Sequence, residues 1–110
     1  MASKKIGCLN TVKRFSKLLQ KKYAVEAIYI FGSHVKGFAY KDSDIDIAVI
    51  SKSFSRLTPL QRLVVLGKLA WKANTPEIEA IGYTPEEFYH SPPWEFSSEI
   101  QKTGVLFNGK

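Results

Sequence analysis

Two strongly apolar segments constrain this chain more than any other feature. The first, AVEAIYIF, spans residues 24–31 and is a nearly continuous run of β-branched and aromatic side chains, typical of a strand buried on both faces. The second, DIDIAVI, spans residues 44–50 and alternates strictly at its start, which is the pattern of a strand. Two such strands predict a small sheet that needs helices to cover it.

Helical periodicity is found on both sides of these strands. Leu9, Val12, Phe15 and Leu19 recur three or four residues apart, which predicts an amphipathic helix over residues 8–22. Thr58, followed by a proline and then by Gln61, has the form of a capping box and predicts a helix that continues to about Ala73. The residues that this helix is expected to bury are Leu60, Leu63, Val64, Leu66, Ala70 and Trp71.

The remaining segments complete an alternating order of helices and strands. Residues 51–56 read as a loop and residues 77–83 as a third strand. A second capping box at residues 84–87 opens a short helix toward Tyr89. Ser91-Pro92 is expected to open the last helix, which Gly104 ends at a C′ position before a short strand at residues 105–107. The expected fold is a single α/β (α+β) domain over residues 1–110, with a small mixed sheet covered by helices.

Composition excludes several classes of protein. The longest fully apolar run, Ala27 to Phe31, is far shorter than the ~20 residues of a membrane span. No apolar segment follows the early lysines, so a cytoplasmic protein without a secretory signal is expected. Cys8 is the only cysteine and is expected to be an idle or buried thiol. Because the chain contains only two histidines in addition to Cys8, a zinc site of the Cys/His kind is not expected.

The positive charge is concentrated at one end of the chain. Residues 1–22 contain seven basic side chains and no acidic one, so the net charge of +6 arises entirely there. A basic helix can attract phosphates at long range, but it is more often simply a solvated helix face. The basic residues are Lys4, Lys5, Lys13, Arg14, Lys17, Lys21 and Lys22.

The segment between the two apolar strands carries residues suited to phosphate binding. Gly32 and Ser33 follow directly on the first strand. Glycine lets the backbone turn sharply and approach a phosphate, and the serine adds a hydroxyl donor. Backbone N–H groups that open a short helix form an anion site, to which Lys36 adds a positive charge.

Two carboxylates stand at the start of the second strand. Asp44 and Asp46 project on the same side, about 7 Å apart, because side chains along a strand alternate between its faces. Hard oxygen ligands next to a phosphate site suit Mg²⁺, and two metal ions could bridge the attacking and leaving oxygens of an in-line displacement. Ile45 and Ile47 are expected to face the core and to anchor the carboxylates.

In these motifs the sequence resembles the minimal nucleotidyltransferases of the DNA polymerase beta-like superfamily. Their hallmark is a hydrophobic strand, Gly-Ser, a spacer of about ten residues, and Asp-hydrophobic-Asp, here Gly32-Ser33 and Asp44-Ile45-Asp46. Gly37 and Ser43 also match common features of the spacer. Residues 78–88, IEAIGYTPEEF, and the closing GVLF of residues 104–107 are similar to the later part of that fold.

The resemblance implies a nucleotidyltransferase fold and a Mg²⁺-dependent transfer of a nucleoside monophosphate from ATP or another nucleoside triphosphate to an acceptor hydroxyl. It also implies a third carboxylate that binds metal and helps to deprotonate the acceptor. Glu79 is the candidate for this role, and Glu77, two residues earlier on the same face, is the alternative. Asp44, Asp46 and Glu79 would then bind metal and carry catalysis, while Gly32, Ser33 and Lys36 would bind the nucleotide. Lys36 stands where arginine is common in the family and lacks its bidentate grip on phosphate.

The same resemblance implies a partner. It suggests a helical HEPN-type protein, as in toxin–antitoxin pairs in which the nucleotidyltransferase adds AMP to an RNase toxin; a homo-oligomer is the other possibility. Two other classes of function remain open. One is an antitoxin or regulatory subunit that acts by contact without catalysis. The other is a basic nucleic-acid-binding module acting through residues 4–22, whose binding would weaken steeply with salt.

Overall fold

A computed structural model describes residues 8–36 and 44–107 of the chain. Lys4, Lys5, Gly37 and Ser43, on which part of the sequence argument rests, lie outside these ranges. The elements are α1 (Leu9–Gln20), β1 (Val25–Phe31), α2 (Ser33–Lys36), β2 (Ile45–Ser51), a 3₁₀ helix (Lys52–Arg56), α3 (Pro59–Lys72), β3 (Ile78–Tyr83), α4 (Pro85–Tyr89), α5 (Phe96–Thr103) and β4 (Val105–Leu106).

The four strands form one mixed sheet in the order β3-β2-β1-β4. β2 is antiparallel to β1 and parallel to β3, and β4 is antiparallel to β1. The crossover between the parallel strands β2 and β3 runs through α3, as a parallel connection requires. The expected α/β fold with a small sheet covered by helices is therefore confirmed.

Each face of the sheet packs against its own pair of helices. On one face, side chains of α1 and α3 meet Ile28, Ile30 and Ile47 in the larger hydrophobic core. On the other, Phe88 of α4 and Ile100 of α5 cover the opposite side chains of β1 and β2. Both central strands are thus buried on two faces, which explains their nearly unbroken apolar sequences.

The face that α3 turns toward the core differs most from the one predicted from the sequence. Its capping box is present, with the backbone N–H of Gln61 donating to the Thr58 hydroxyl, and Leu66 and Ala70 are buried as expected. Four other residues expected in the core, Leu60, Leu63, Val64 and Trp71, are exposed. The helix has two apolar stripes of similar spacing, and the one that faces the sheet includes a charged residue, Arg62.

Arg62 can be buried because every part of its guanidinium that points inward has a partner. Its Nε donates to the carbonyls of Phe54 and Leu57 at 3.0 Å each, and its Nη1 donates to the carbonyl of Gly82 at 3.3 Å. The side chain also forms an ion pair with Glu87. It therefore connects α3 to the 3₁₀ helix, β3 and α4. Hydrophobic periodicity alone could not place an arginine in this position.

Three local expectations are also corrected. Residues 52–56, read as a loop, form a 3₁₀ helix that buries Phe54 completely. The last helix begins at Phe96 and not at Ser91-Pro92, because the consecutive prolines disfavour helical backbone in the residue before each of them. Gly104 is the C-cap of this helix with φ −78°, so it does not use the left-handed conformation expected of it.

Candidate active site

The sheet brings acidic residues from two strands together at one of its ends. In β2, Asp46 lies opposite Phe31 of β1 and beside Glu79 of β3, so the two carboxylates share a face of the sheet. Asp44 is exposed and immediately precedes β2. The next residue, Ile45, donates its N–H to the carbonyl of Glu77 at 2.8 Å, which holds the start of β2 against the start of β3.

Gly32 closes this end of the sheet. Its φ of +81° lies in the left-handed region that favours glycine. A Cβ at this position would overlap the Oδ2 atom of Asp46 and come within 3.3 Å of its Cγ. Position 32 therefore requires glycine for two reasons. Glycine permits the backbone turn, and it leaves room for the carboxylate. The Gly-Ser and Asp-x-Asp motifs, twelve residues apart in sequence, meet in space through this contact.

Ser33 begins α2, and the carbonyl of Gly32 accepts a hydrogen bond from the Val35 N–H at 3.1 Å. The Ser33 side chain is half-buried close to the glycine turn. Lys36 is the last residue of α2, and its side chain is outside what the structure describes. Gly32, Ser33 and α2 thus stand at the same end of the sheet as the carboxylates.

Two of the carboxyl groups at this end of the sheet, those of Asp46 and Glu79, have raised pKa values. Burial raises the pKa of Asp46, the charge of Asp44 raises it further, and His34 opposes both effects. A hydrogen bond with Asp44 is the main cause that raises the pKa of Glu79, followed by the charge of the same aspartate. The ionised forms of Asp46 and Glu79 are therefore disfavoured relative to those of free carboxyl groups.

This donor set suits a hard divalent cation. Carboxylate oxygens are the ligands that Mg²⁺ prefers, and a cation would relieve the repulsion that raises these pKa values. Within residues 8–36 and 44–107, no three acidic, imidazole or thiol side chains already form a metal cage. Magnesium commonly takes only one or two carboxylates and completes its shell with water and substrate phosphates. The pair Asp44 and Asp46 therefore fits Mg²⁺ delivered with a nucleotide.

Of the two glutamates considered for the third carboxylate, Glu79 is the one that hydrogen-bonds to Asp44. Glu77 precedes β3 and contacts the start of β2 through its backbone carbonyl. The parallel register decides this difference, because it sets Glu79 level with Asp46. The register was not available from the sequence.

Aromatic side chains are spread over several surfaces of the described fold. Tyr83 and His90 line another cleft together with Leu60, and Trp71 projects from the solvent face of α3. Phe96, at the first turn of α5, is one of the aromatic residues on the face of the sheet that carries Asp46. Its ring packs edge-on against Phe31 with centroids 5.4 Å apart, and 51% of the residue is exposed. In the sequence, Phe96 is marked only as an apolar residue near the start of a helix.

The structure thus combines an α/β fold with a cluster of carboxylates beside a glycine turn at one end of the sheet. The protein-family model described as "Polymerase beta, Nucleotidyltransferase" matches residues 13–108 of this chain. The chain belongs to this polymerase beta-like nucleotidyltransferase family. No curated protein matches the sequence at a significant level.

Two solved structures share the fold. One is a predicted nucleotidyltransferase from Sulfolobus solfataricus, with a TM-score of 0.63 and 22% identity over 97% of this chain and 90% of that one. The other is a toxin–antitoxin structure with AMP-PNP, with a TM-score of 0.61 and 24% identity over 93% of this chain and 73% of that one. None of the helices in the described part of the chain is long and apolar enough to cross a membrane.

Proposed function

We propose that this protein transfers AMP from ATP to a hydroxyl group of a partner protein. The observation that carries the proposal is the meeting of Gly32 with Asp46 at a sheet end where Asp44 and Glu79 also converge. Membership of the nucleotidyltransferase family supports the type of reaction. The toxin–antitoxin structure that holds AMP-PNP supports adenine as the base and a partner protein as the acceptor.

In the proposed reaction, the acceptor oxygen forms a bond to the α-phosphorus as the bond to the leaving pyrophosphate breaks. The backbone of Gly32, the hydroxyl of Ser33 and the charge of Lys36 hold the β- and γ-phosphates. Asp44 and Asp46 would hold Mg²⁺, whose charge supplies the electrostatic stabilisation of the transferring phosphoryl group when it is bound. Glu79 would receive the proton of the acceptor hydroxyl.

No covalent enzyme intermediate is needed for this chemistry, because positioning and electrostatics account for catalysis. The rigidity of the site comes from its surroundings. Ile45 and Ile47 are buried in the core on the opposite face of β2, so the backbone that carries Asp46 is fixed. We propose a HEPN-type helical protein as the acceptor, in a toxin–antitoxin pair in which AMP silences the toxin.

The test is transfer of label from α-³²P-ATP with Mg²⁺, using the purified chain alone and together with the protein encoded beside it. Label on the partner is expected, and it should disappear with Asp44→Asn and with Asp46→Asn. Glu79→Gln and Glu77→Gln form a matched pair on neighbouring positions. Loss of label with the first and retention with the second would assign the third carboxylate to Glu79.

The outcome that contradicts the proposal is equally specific. If the partner stays unlabelled while wild-type and Asp46→Asn proteins bind and neutralise it equally well, the protein acts by contact alone. A nucleic-acid-binding module would instead bind RNA or DNA with a steep dependence on salt that vanishes when Lys13 and Lys17 are neutralised.

A further inference from the structure

The solvent face of α3 carries a row of large apolar side chains that the fold leaves uncovered. We call Leu60, Leu63, Val64, Gly67 and Trp71 the α3 stripe. Leu60 is 70% exposed and Trp71 is 76% exposed. Scattered apolar residues are normal on protein surfaces, whereas a contiguous group on one element marks an interaction site.

The spacing within the α3 stripe is that of a helix–helix seam. Leu60, Val64, Gly67 and Trp71 follow one another at intervals of four, three and four residues, which is the a/d repeat of packed helices. At the helical rise, the stripe extends about 16 Å along the axis. It lies opposite the side of α3 that buries Leu66 and Leu69 in the core, so no other part of the described fold covers it.

The shape of this face also suits a helix. A Cβ built on Gly67 would meet nothing within 4 Å, so the middle of the stripe is an open notch into which a side chain or a backbone can approach. Beside the N-terminal half of the stripe is an open cleft of about 910 Å³, lined by Leu60, Leu63, Ile81 and Tyr83 among others. A seam with a notch and a flanking cleft can receive the side chains of a second helix.

Along one flank of the α3 stripe, the charged residues are basic. Lys68 and Lys72 lie on that flank, and α1, which packs on the same face of the sheet as α3, adds exposed basic residues. Neither α1 nor α3 contains an acidic residue. Glu86 and Glu95 lie across the cleft, on the other side of the stripe. The complementary ligand is therefore apolar at its centre and acidic on the flank that meets Lys68.

We propose that the α3 stripe binds an amphipathic helix of a partner protein, with an apolar seam and Asp or Glu residues facing Lys68 and Lys72. A second copy of this chain fits less well, because an antiparallel two-fold pairing of α3 brings the same basic flank of each copy together. The inference does not depend on nucleotide transfer, since the stripe shares no residue with the acidic end of the sheet.

Intrinsic fluorescence can test this proposal, because the chain has only two tryptophans. In a Trp94→Phe protein, the emission reports Trp71 alone. The probes are two synthetic helical peptides, about four heptads long, with leucine along the seam. One has glutamate on its flanks and its twin has lysine. The glutamate peptide is expected to shift the emission to shorter wavelength, to bind at least tenfold more tightly than its twin, and to bind more weakly as salt increases.

Single substitutions can locate the surface that binds the peptide. Val64→Ser in the stripe is expected to weaken binding of the glutamate peptide at least tenfold, whereas Leu106→Ser, at an exposed apolar position on β4, should leave it unchanged. Thermal unfolding of both variants checks that the fold is intact. Asp46→Asn should bind the peptide normally even where it abolishes transfer, which separates this proposal from the proposed function.

Three results would overturn the proposal. The first is equal or absent binding of the two peptides. The second is a dimer of the chain alone in sedimentation experiments that Val64→Ser abolishes, which would assign the stripe to self-association. The third is binding to phosphatidylserine vesicles that Val64→Ser weakens while the glutamate peptide does not compete, which would assign it to a membrane surface.

Discussion

Replacing Gly32 with alanine tests the link between the backbone turn and the acidic site. An alanine held at the left-handed φ of +81° lowers the free energy of unfolding by about 1–2 kcal/mol. The new Cβ would also overlap the carboxylate of Asp46. Asp46 can rotate away by roughly 1 Å, so we expect this overlap to affect activity more than stability. A displacement of that size in a catalytic group reduces the rate about 100-fold.

Gly67→Ala is the matched control for Gly32→Ala. It lies inside α3 without a left-handed φ, and its Cβ enters open space. Alanine there should stabilise the protein by about 1 kcal/mol. Both substitutions restrict the unfolded chain equally, so the difference between their free energies of unfolding reports an effect on the native state. Denaturant unfolding without Mg²⁺ should therefore separate the two variants by about 2–3 kcal/mol.

Activity completes the comparison. Relative to the wild type, Gly32→Ala should lose about two orders of magnitude of nucleotide transfer. If Gly32→Ala were as stable as Gly67→Ala, the left-handed turn would not be a feature of the folded protein. If it were destabilised but fully active, the contact between Gly32 and Asp46 would have no part in positioning the carboxylate.

Three further predictions follow from the charges and rings of the structure. Asp44→Asn should raise the unfolding midpoint in Mg²⁺-free buffer, because it removes one charge of a mutually repelling cluster, and added Mg²⁺ should stabilise it less than the wild type. The hydrogen bond from Arg62 lowers the pKa of Glu87 below its ordinary 4.5, so its stabilisation is present above that value and is lost as the pH falls further. In acid titrations followed by circular dichroism, Glu87→Gln should flatten this loss below pH 4.5, and parallel curves for the two proteins would contradict it. We expect the half-exposed ring of Phe96 to stack on the adenine base. Phe96→Ala should then weaken ATP binding about threefold to tenfold and leave inorganic triphosphate unaffected, as calorimetry can measure; an equal effect on both ligands would contradict this role.

Local sequence signals predicted the elements with good accuracy. The capping boxes at Thr58 and Thr84 both form with reciprocal hydrogen bonds, because the residues that make them are only three positions apart. The strands β1 and β2 occupy nearly the predicted ranges, since their β-branched runs have no polar face on which an alternative could be built. The Gly-Ser and Asp-x-Asp motifs also identified the family, because their residue types serve a chemistry that few other residues could perform.

The sequence was less informative where an interaction joins distant segments. The buried face of α3 was wrongly assigned, because periodicity measures spacing and two apolar stripes had the same spacing. The burial of Arg62 depends on carbonyls from the 3₁₀ helix and β3, which only tertiary packing brings within reach. For the same reason, the exposed α3 stripe could not be recognised from the sequence as a surface.

By itself, the sequence therefore determined the elements, the two-sided burial of the central strands and the residue types of the acidic site, because each depends on neighbours along the chain. Only the tertiary structure decided which glutamate lies level with Asp46 and which side chains of α3 meet solvent. It also revealed that Gly32 must be glycine to leave room for a carboxylate from another strand. These features depend on strand register and on helix rotation about its axis, which are set by contacts between segments far apart in sequence.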